Sequence, residues 1–282
     1  MTLRNRFLGF LALLVFAIGA QASAAAITKC PSGGTPSPGS VVTGGLEVDD
    51  VCVLTDVTIY GGVVVDAVPP QPAPPQTAPF PLLELRSGQV YGGIVNNGGF
   101  VFLGFNGETG EPTNQPVTVD GGITLNRPLF DIFVGATIRG ELRMNGSTSL
   151  ASIFPDCGSD PFCFASDLLC GNNIYGSVSV TDVDSHQVII GDPNEFFCSG
   201  NTIHGSVFMK DTNFTRLFDG EGGEIEGNRV TGSVHVDHST AEVNENTVGG
   251  SLLCTNGTVI QPSRPPDQQG NTVRGKNTCD QP

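Results

Sequence analysis

The decapeptide NTIHGSVFMK, residues 201–210, decides the fold because its pattern recurs along the chain. Ile203, Val207 and Met209 are separated by polar or small residues, and such alternation is typical of a half-buried strand of period two. The nine copies are VTIYGGVVVD (57–66), GQVYGGIVNN (88–97), VTVDGGITLN (117–126), ATIRGELRMN (136–145), NNIYGSVSVT (172–181), NTIHGSVFMK (201–210), NRVTGSVHVD (228–237), NTVGGSLLCT (246–255) and NTVRGKNTCD (271–280).

This repetition predicts an all-β fold, a right-handed parallel β-helix in the form of a single-stranded solenoid of about nine coils. Coils that stack about 4.8 Å apart bring identical columns together, and parallel crossovers are right-handed. An antiparallel meander is the alternative, but its hairpins would reverse the motif. A second strand per coil is predicted by the apolar residues five positions before the first apolar residue of the motif: Leu54, Leu85, Phe133, Leu169, Cys198, Ile225 and Val243.

The extra length between copies falls after the glycine-led strand and before the next motif. We therefore expect the insertions to project from one flank of the solenoid, where loops on a rigid scaffold often meet ligands. The segments concerned are 67–81, 105–116, 146–167 and 261–269.

The N-terminus has the features of an export signal: Arg4 and Arg6, a short apolar run, and small residues around Ala24. The predicted organisation is a signal peptide at 1–24, a Gly/Pro-rich lead-in at 25–44 and the β-helix domain at 45–282. A retained membrane anchor is the alternative, but the apolar run is shorter than the roughly 18 residues of a spanning helix. We expect a secreted protein, extracellular or periplasmic, without a membrane span after cleavage.

The charge of the chain limits its partners, because 13 Lys and Arg stand against 28 Asp and Glu. Removing Arg4 and Arg6 with the signal peptide leaves 11 against 28, a net charge near −17. Such a surface repels phosphate backbones, so no nucleic-acid partner is expected. No metal site and no cofactor are predicted, because the chain lacks a Cys-x-x-Cys pair. Ca²⁺ is the alternative, since divalent cations suit so acidic a surface, although no motif indicates it.

An even number of cysteines behind an export signal predicts disulfides. Cys254 and Cys279 occupy one column in adjacent coils, which places their Cα atoms within disulfide range. Cys170 with Cys198, nearly in register, is the second predicted pair. Elimination then leaves Cys157 with Cys163 and Cys30 with Cys52.

Asparagine recurs two residues before the first apolar residue in the last five coils. Its amide tolerates turns and hydrogen-bonds to neighbours above and below, as in stacked ladders. A structural ladder is therefore predicted for Asn172, Asn201, Asn228, Asn246 and Asn271.

A column of outward residues follows the first apolar residue of each motif, and it contains all three tyrosines. Exposed rings with a polar tip, beside a strip of small residues, suit a sugar chain or a protein partner. The alternative is that the tyrosines are present because tyrosine favours β-strands, and that a loop covers them. The candidate binding residues are Tyr60, Tyr91, Arg139, Tyr175 and His204.

Catalysis on a polysaccharide would require carboxylates, or acids with a basic group, at fixed positions in a groove. No catalytic residue is predicted, because acidic residues are expected anywhere on so negative a surface. The acidic and basic candidates weighed are Asp182, Asp184, Glu221, Glu224, Glu226, and Asp120 beside Arg139 and Glu141.

The blocks of the form G-N-x-[IV]-x-G-S-[VL] from Gly171 onward, ending in GNTVRGKNTCDQ, resemble secreted bacterial proteins with right-handed parallel β-helix repeats. That group includes pectin-acting lyases and hydrolases as well as adhesins and structural surface proteins. The resemblance implies the architecture, but the sequence lacks the enzymes' Arg-x-Pro-x-x-Arg and Gly-His-Gly motifs. We therefore expect a non-enzymatic binding or structural role, with a polysaccharide or another cell-surface component as partner. A polysaccharide lyase or glycoside hydrolase is the alternative.

Overall fold

The computed structural model describes residues 26–66, 80–128, 130–146, 166–183, 187–191, 199–213, 223–260 and 270–279. Within these residues the chain forms three long parallel sheets, of ten, ten and nine strands, and no helix, and successive coils add strands to the three sheets in turn. This is the predicted right-handed parallel β-helix. No described segment is a long apolar helix that could cross a membrane.

Sheet A is formed by the strand after the motif glycine. Its ten strands stack in chain order, with pairs such as Val207 opposite Val234. The strands are β1 (Thr28–Cys30), β3 (Leu46–Val48), β6 (Val63–Asp66), β9 (Ile94–Asn97), β14 (Ile123–Asn126), β17 (Leu142–Asn145), β20 (Val178–Thr181), β23 (Val207–Lys210), β26 (Val234–Asp237) and β29 (Leu252–Thr255).

Sheet B is formed by the strand before the motif glycine, and it also has ten strands in chain order. They are β2 (Val41–Thr43), β5 (Val57–Tyr60), β8 (Gly88–Tyr91), β13 (Val117–Asp120), β16 (Thr137–Ile138), β19 (Asn173–Ile174), β22 (Thr202–Ile203), β25 (Arg229–Val230), β28 (Thr247–Val248) and β31 (Thr272–Val273).

Sheet C contains the predicted second strand of each coil and has nine strands. They are β4 (Val51–Leu54), β7 (Leu82–Leu85), β10 (Phe100–Leu103), β15 (Phe130–Val134), β18 (Ser166–Cys170), β21 (Gln187–Gly191), β24 (Gly223–Glu226), β27 (Thr240–Asn244) and β30 (Val259–Ile260). A short antiparallel hairpin, β11 (Phe105–Asn106) and β12 (Glu111–Pro112), follows β10.

The inward columns of the three sheets form one continuous hydrophobic core. Ile203, Val207 and Met209 of the motif are fully buried, as the alternation predicts. The motif glycine is required by close stacking between coils, because a Cβ on Gly205 would lie 2.5 Å from the carbonyl oxygen of Gly176. Real Cβ atoms do not approach an oxygen so closely.

The predicted asparagine ladder is confirmed. Oδ1 of Asn201 accepts hydrogen bonds from the backbone nitrogen and from Nδ2 of Asn172, at 2.9 and 3.0 Å. Nδ2 of Asn201 donates to the carbonyl of Leu169 at 2.7 Å and to Oδ1 of Asn228 at 3.0 Å. The pattern repeats at Asn228, Asn246 and the partly buried Asn271, so each amide joins two coils and also caps the end of a sheet C strand.

Disulfides close both ends of the solenoid. Cys254 and Cys279 are bonded with Cα atoms 5.0 Å apart, and Cys30 and Cys52 are bonded with Cα atoms 5.7 Å apart, as paired in the sequence analysis. Cys170 is also disulfide-bonded. Its predicted partner Cys198, and the predicted pair Cys157 with Cys163, lie outside the described residues.

The parallel sheets extend into the segment 25–44 that we predicted as a lead-in. Strand β1 pairs with β3, and β2 pairs with β5, so stacking begins at Thr28 and not at residue 45. The sequence analysis missed this coil because the segment lacks the full motif. The signal peptide predicted at 1–24 lies outside the described residues.

The insertions connect to the solenoid at two corners, both of which border sheet C. Segments 67–81 and 146–167 join sheet A to sheet C, whereas 105–116 and 261–269 join sheet C to sheet B. The prediction of a single flank was therefore wrong. In these coils a sheet C strand lies between the glycine-led strand and the next motif, so the insertions lie on both sides of that strand. The described hairpin in 105–116 packs on this side, with Phe105 edge-on to Phe102 of sheet C at 5.9 Å.

Candidate functional site

The five candidate binding residues lie in one ladder on the outer face of sheet B, which we call the outward column. Tyr60 pairs with Tyr91, and Tyr91 pairs with Asp120. Beyond the ends of their strands, Arg139, Tyr175 and His204 continue the ladder through backbone hydrogen bonds of 2.8–2.9 Å to the preceding coil. The column, in order, is Tyr60, Tyr91, Asp120, Arg139, Tyr175, His204, Thr231, Gly249 and Arg274.

The first six residues of the outward column form three consecutive pairs. The rings of Tyr60 and Tyr91 are stacked, with centroids 4.7 Å apart and planes within 4°. Asp120 Oδ1 accepts a hydrogen bond from Arg139 Nη1 at 2.8 Å. The rings of Tyr175 and His204 are stacked at 4.5 Å and within 8°. These contacts follow from the parallel register, because the spacing of neighbouring coils is close to the stacking distance of two rings.

Residues of the adjacent outward position of sheet B orient two of these pairs. Gln89 Nε2 donates to Asp120 Oδ2 at 2.8 Å. Asn173 Nδ2 donates to the hydroxyl of Tyr175 at 3.3 Å, and Asn173 Oδ1 lies 3.0 Å from His204 Nε2. Sequence analysis missed Gln89 and Asn173, although both stand two residues before a tyrosine and thus on the same face of a strand.

The tyrosines are accessible to solvent. Tyr60 is 46% exposed and Tyr175 is 53% exposed, whereas Tyr91 is half-buried between its neighbours. The alternative in which a loop covers these rings therefore does not describe Tyr60 or Tyr175. One face of each ring is occupied by its stacking partner, which fixes the ring and leaves the rest of it as the surface that a ligand can reach.

The strip of small residues beside the outward column has a structural role in its serine part. Each serine hydroxyl accepts a hydrogen bond of 3.0–3.1 Å from the backbone nitrogen at the same position of the next coil. These side chains therefore lie against the backbone of the next coil and do not project from the surface of the solenoid. The serines are Ser177, Ser206, Ser233 and Ser251.

The acidic candidates do not gather in one groove within the described residues. Asp120 is paired with Arg139, and Glu141 is paired with Arg143 on the outer surface. Asp182 is exposed in a turn with φ of 57°. Glu224 and Glu226 are buried on sheet C, whereas the outward column belongs to sheet B. Asp184 and Glu221 lie outside the described residues.

A pair of acids that the sequence analysis missed lies inside the core. Asp131 and Asp167 are fully buried in adjacent strands of sheet C. Asn96 Nδ2 donates to Asp131 Oδ1 at 3.2 Å. Burial, and then the charge of Asp167, raise the pKa of Asp131 well above its usual value. The sequence signal was available, because each aspartate stands two residues before an inward apolar residue of the same strand.

No cluster of three or more His, Cys, Asp or Glu side chains that could hold a metal ion occurs in the part of the chain that the structure describes. His235 contacts Thr255 Oγ1 at 3.0 Å on the outer face of sheet A. His238 lies in the following turn, where Nδ1 is 2.7 Å from Asp211 Oδ1. The two histidines of this His-x-x-His sequence therefore have separate partners.

In comparisons with known proteins, no family model, no curated sequence and no solved structure matches this chain. The assignment of the fold therefore rests on the strand pairing described above. The resemblance to secreted bacterial β-helix proteins gains no support from relatives, and no residue role is transferred from one.

Proposed function

We propose that this protein is a secreted, non-enzymatic β-helix protein that binds polysaccharide at the cell surface or in the extracellular matrix. The observation that carries the proposal is the outward column, in which six consecutive coils present side chains that suit a sugar chain. These six positions extend over about 24 Å along the solenoid, at about 4.8 Å per coil. A linear polymer lying parallel to the axis would meet all three pairs.

The chemistry of the column supports a carbohydrate ligand. Tyr60 and Tyr175 combine an apolar ring with a hydroxyl, and such amphipathic rings are common where a partner is partly polar. Arg139 and Asp120 add charged donors and acceptors between the two ring pairs. Stacking holds the rings in place before a ligand arrives, which reduces the entropic cost of binding.

Secretion is supported by the disulfides and by the sequence of the N-terminus. Two bonded cysteine pairs, one near each end of the solenoid, are expected in an oxidising compartment. The apolar run before Ala24 has the length of an export signal.

Polysaccharide cleavage is the second candidate function. The pair of Asp120 and Arg139 on the outward column places a carboxylate beside a guanidinium along the proposed ligand path. Cleavage would further require a second carboxylate or a metal within reach of the same bond. An assay of reducing ends and unsaturated products, with calcium present, distinguishes this candidate from binding alone.

The proposed function is tested with the purified mature protein on a glycan array and by affinity electrophoresis. We expect retention by at least one polysaccharide, and a loss of retention in Tyr175→Ala. Phe208→Ala is the matched control, because Phe208 is also an exposed aromatic residue, 44% accessible, but lies on sheet A. Equal retention of both variants, or retention of neither protein by any glycan, would overturn the proposal.

A further inference from the structure

The outer face of sheet B is not acidic, although the whole chain is. Its two outward positions per strand contain three arginines and one acidic residue, Asp120, over the ten described strands. The chain as a whole has 28 acidic against 13 basic residues. Arg139 and Asp120 neutralise each other, so Arg229 and Arg274 give this face a local positive charge.

Arg229 and Arg274 are available to a ligand. Both side chains are exposed, and neither makes an ion pair or side-chain hydrogen bond with any described residue. A guanidinium presents a planar fork of donors that matches a carboxylate in bidentate geometry. Among the described residues this face thus offers two unpaired anion-binding groups: Arg274 ends the outward column, and Arg229 lies in the adjacent outward position of sheet B.

The neighbouring side chains on this part of sheet B are neutral hydrogen-bonding groups. Thr247 is directly opposite Arg229 in the ladder, and Thr272 is opposite Thr247. Thr202 is opposite Arg229 on the other side. Hydroxyl groups beside isolated cations suit a polymer that carries many hydroxyls and few charges.

The spacing of the arginines does not match the spacing of phosphates in a nucleic acid. Arg229 is three coils from Arg139 and two coils from Arg274, which corresponds to about 14 and 10 Å along the axis. Phosphates follow each other every 3.4 Å along one DNA strand, so most would face no cation here. The acidic surface elsewhere on the protein would add repulsion at that charge density.

We infer that the ligand of sheet B is an anionic polysaccharide with widely spaced carboxylates, held by Arg229, by Arg274 and by the rings of the outward column. This inference rests on the proposed function and narrows it to a charge class. The chain would lie along the solenoid axis, with its sugars against Tyr175 and His204 and its carboxylates at the two arginines. Salt weakens such contacts, because dissolved ions screen ion pairs that are exposed to solvent.

The experiment compares hyaluronan, which carries a carboxylate on every second sugar, with carboxyl-reduced hyaluronan, which has the same backbone without charge. Binding of the mature protein to both is measured by affinity electrophoresis and biolayer interferometry over a salt series. We expect preference for the charged form, and an affinity about five- to tenfold weaker in the double variant Arg229→Gln/Arg274→Gln, since exposed ion pairs contribute only modestly to binding. Lys210→Gln, a cation on the face of sheet A, is the matched control and should bind like the parent protein.

The outcomes separate the inference from the proposed function. The inference would be overturned if both polymers bound equally well at every salt concentration and if the arginine variant bound like the parent. Polysaccharide binding itself would then stand. A single-stranded oligonucleotide is tested as well. If it bound as tightly as hyaluronan and the arginine variant lost this binding, the face would be a nucleic-acid site and the inference would be overturned. A protein that retains neither polymer nor any glycan on the array fails both tests. Far-UV circular dichroism of each variant verifies that it is folded.

Discussion

The backbone nitrogen of Asp131 donates a hydrogen bond to Oδ1 of Asp167 at 2.8 Å inside the solenoid. Oδ1 of Asp131 in turn accepts a hydrogen bond from the backbone nitrogen of Val101 at 2.6 Å, so two carboxyl groups link three consecutive coils of sheet C. Both side chains are fully buried. Such a site is unfavourable for two negative charges, because burial and mutual repulsion both favour the protonated form.

The first prediction concerns the pH dependence of stability. The pKa of Asp131 is raised in the folded protein, so this group stabilises the fold fully below its unfolded pKa of about 3.9, and the stabilisation is lost as pH rises through the higher folded pKa. Asp131→Asn removes the charge and keeps an oxygen for Val101. We expect the variant to be more stable than the parent by about 1 kcal/mol or more at neutral pH, with a smaller difference near pH 4. Urea unfolding at a series of pH values measures this.

Glu111→Gln is the control for this prediction, because Glu111 is exposed in strand β12. It should leave the pH profile nearly unchanged. A profile of Asp131→Asn that is parallel to the parent profile would show that the pKa of Asp131 is the same in the folded and unfolded states, and would contradict the prediction.

The second prediction concerns the asparagine ladder. Asn201→Ala removes an acceptor for Asn172 and a donor to Leu169, and it leaves these groups buried without partners. Each unsatisfied buried group costs about 1–3 kcal/mol, so we expect a loss of about 2–5 kcal/mol in the free energy of unfolding. Asn126→Ala is the matched control, since Asn126 donates to Asn97 in a less buried ladder on sheet A. If both variants lose the same stability, burial is not what makes the ladder important.

The third prediction concerns the C-terminal disulfide. Cys254→Ser/Cys279→Ser opens a bridge between residues 25 positions apart, which is worth about 3 kcal/mol. In a solenoid each coil contacts mainly its neighbours, so the loss should be local. Hydrogen exchange should become faster in β28, β29 and β31 while β16 and β19 stay protected. Uniformly faster exchange along the whole chain would contradict this view.

Much of the architecture could be predicted from the positions of a few residue types. Ile203, Val207 and Met209 are buried as the alternation predicts, and the asparagines stack where their column places them. Cys254 and Cys279 are bonded because one column in adjacent coils brings any two side chains into contact range. These features depend only on register, and register is repeated in the sequence.

The details of the candidate site depend on neighbours that are distant in sequence. Tyr60 and Tyr91 share a column in the sequence, but their stacking, and that of Tyr175 on His204, required the spacing and direction of the side chains. The positions of Gln89 and Asn173 beside them likewise follow from the face of sheet B. The insertions were predicted on a single flank but lie at two corners. The sequence pattern did not show that a sheet C strand lies between these corners.

The sequence by itself thus determined the coil, its repeat and the column that faces outward, because a period-two pattern in a repeated motif assigns each residue to the core or to the surface. Only the tertiary structure decided which surface residues act together. It paired the rings, neutralised Asp120 with Arg139, gave Arg229 and Arg274 no ion pair among the described residues, and placed Asp131 against Asp167 in the core. The reason is physical: alternation fixes the side of a strand, whereas contact distance, burial and charge balance arise between coils that the chain brings together only when it folds.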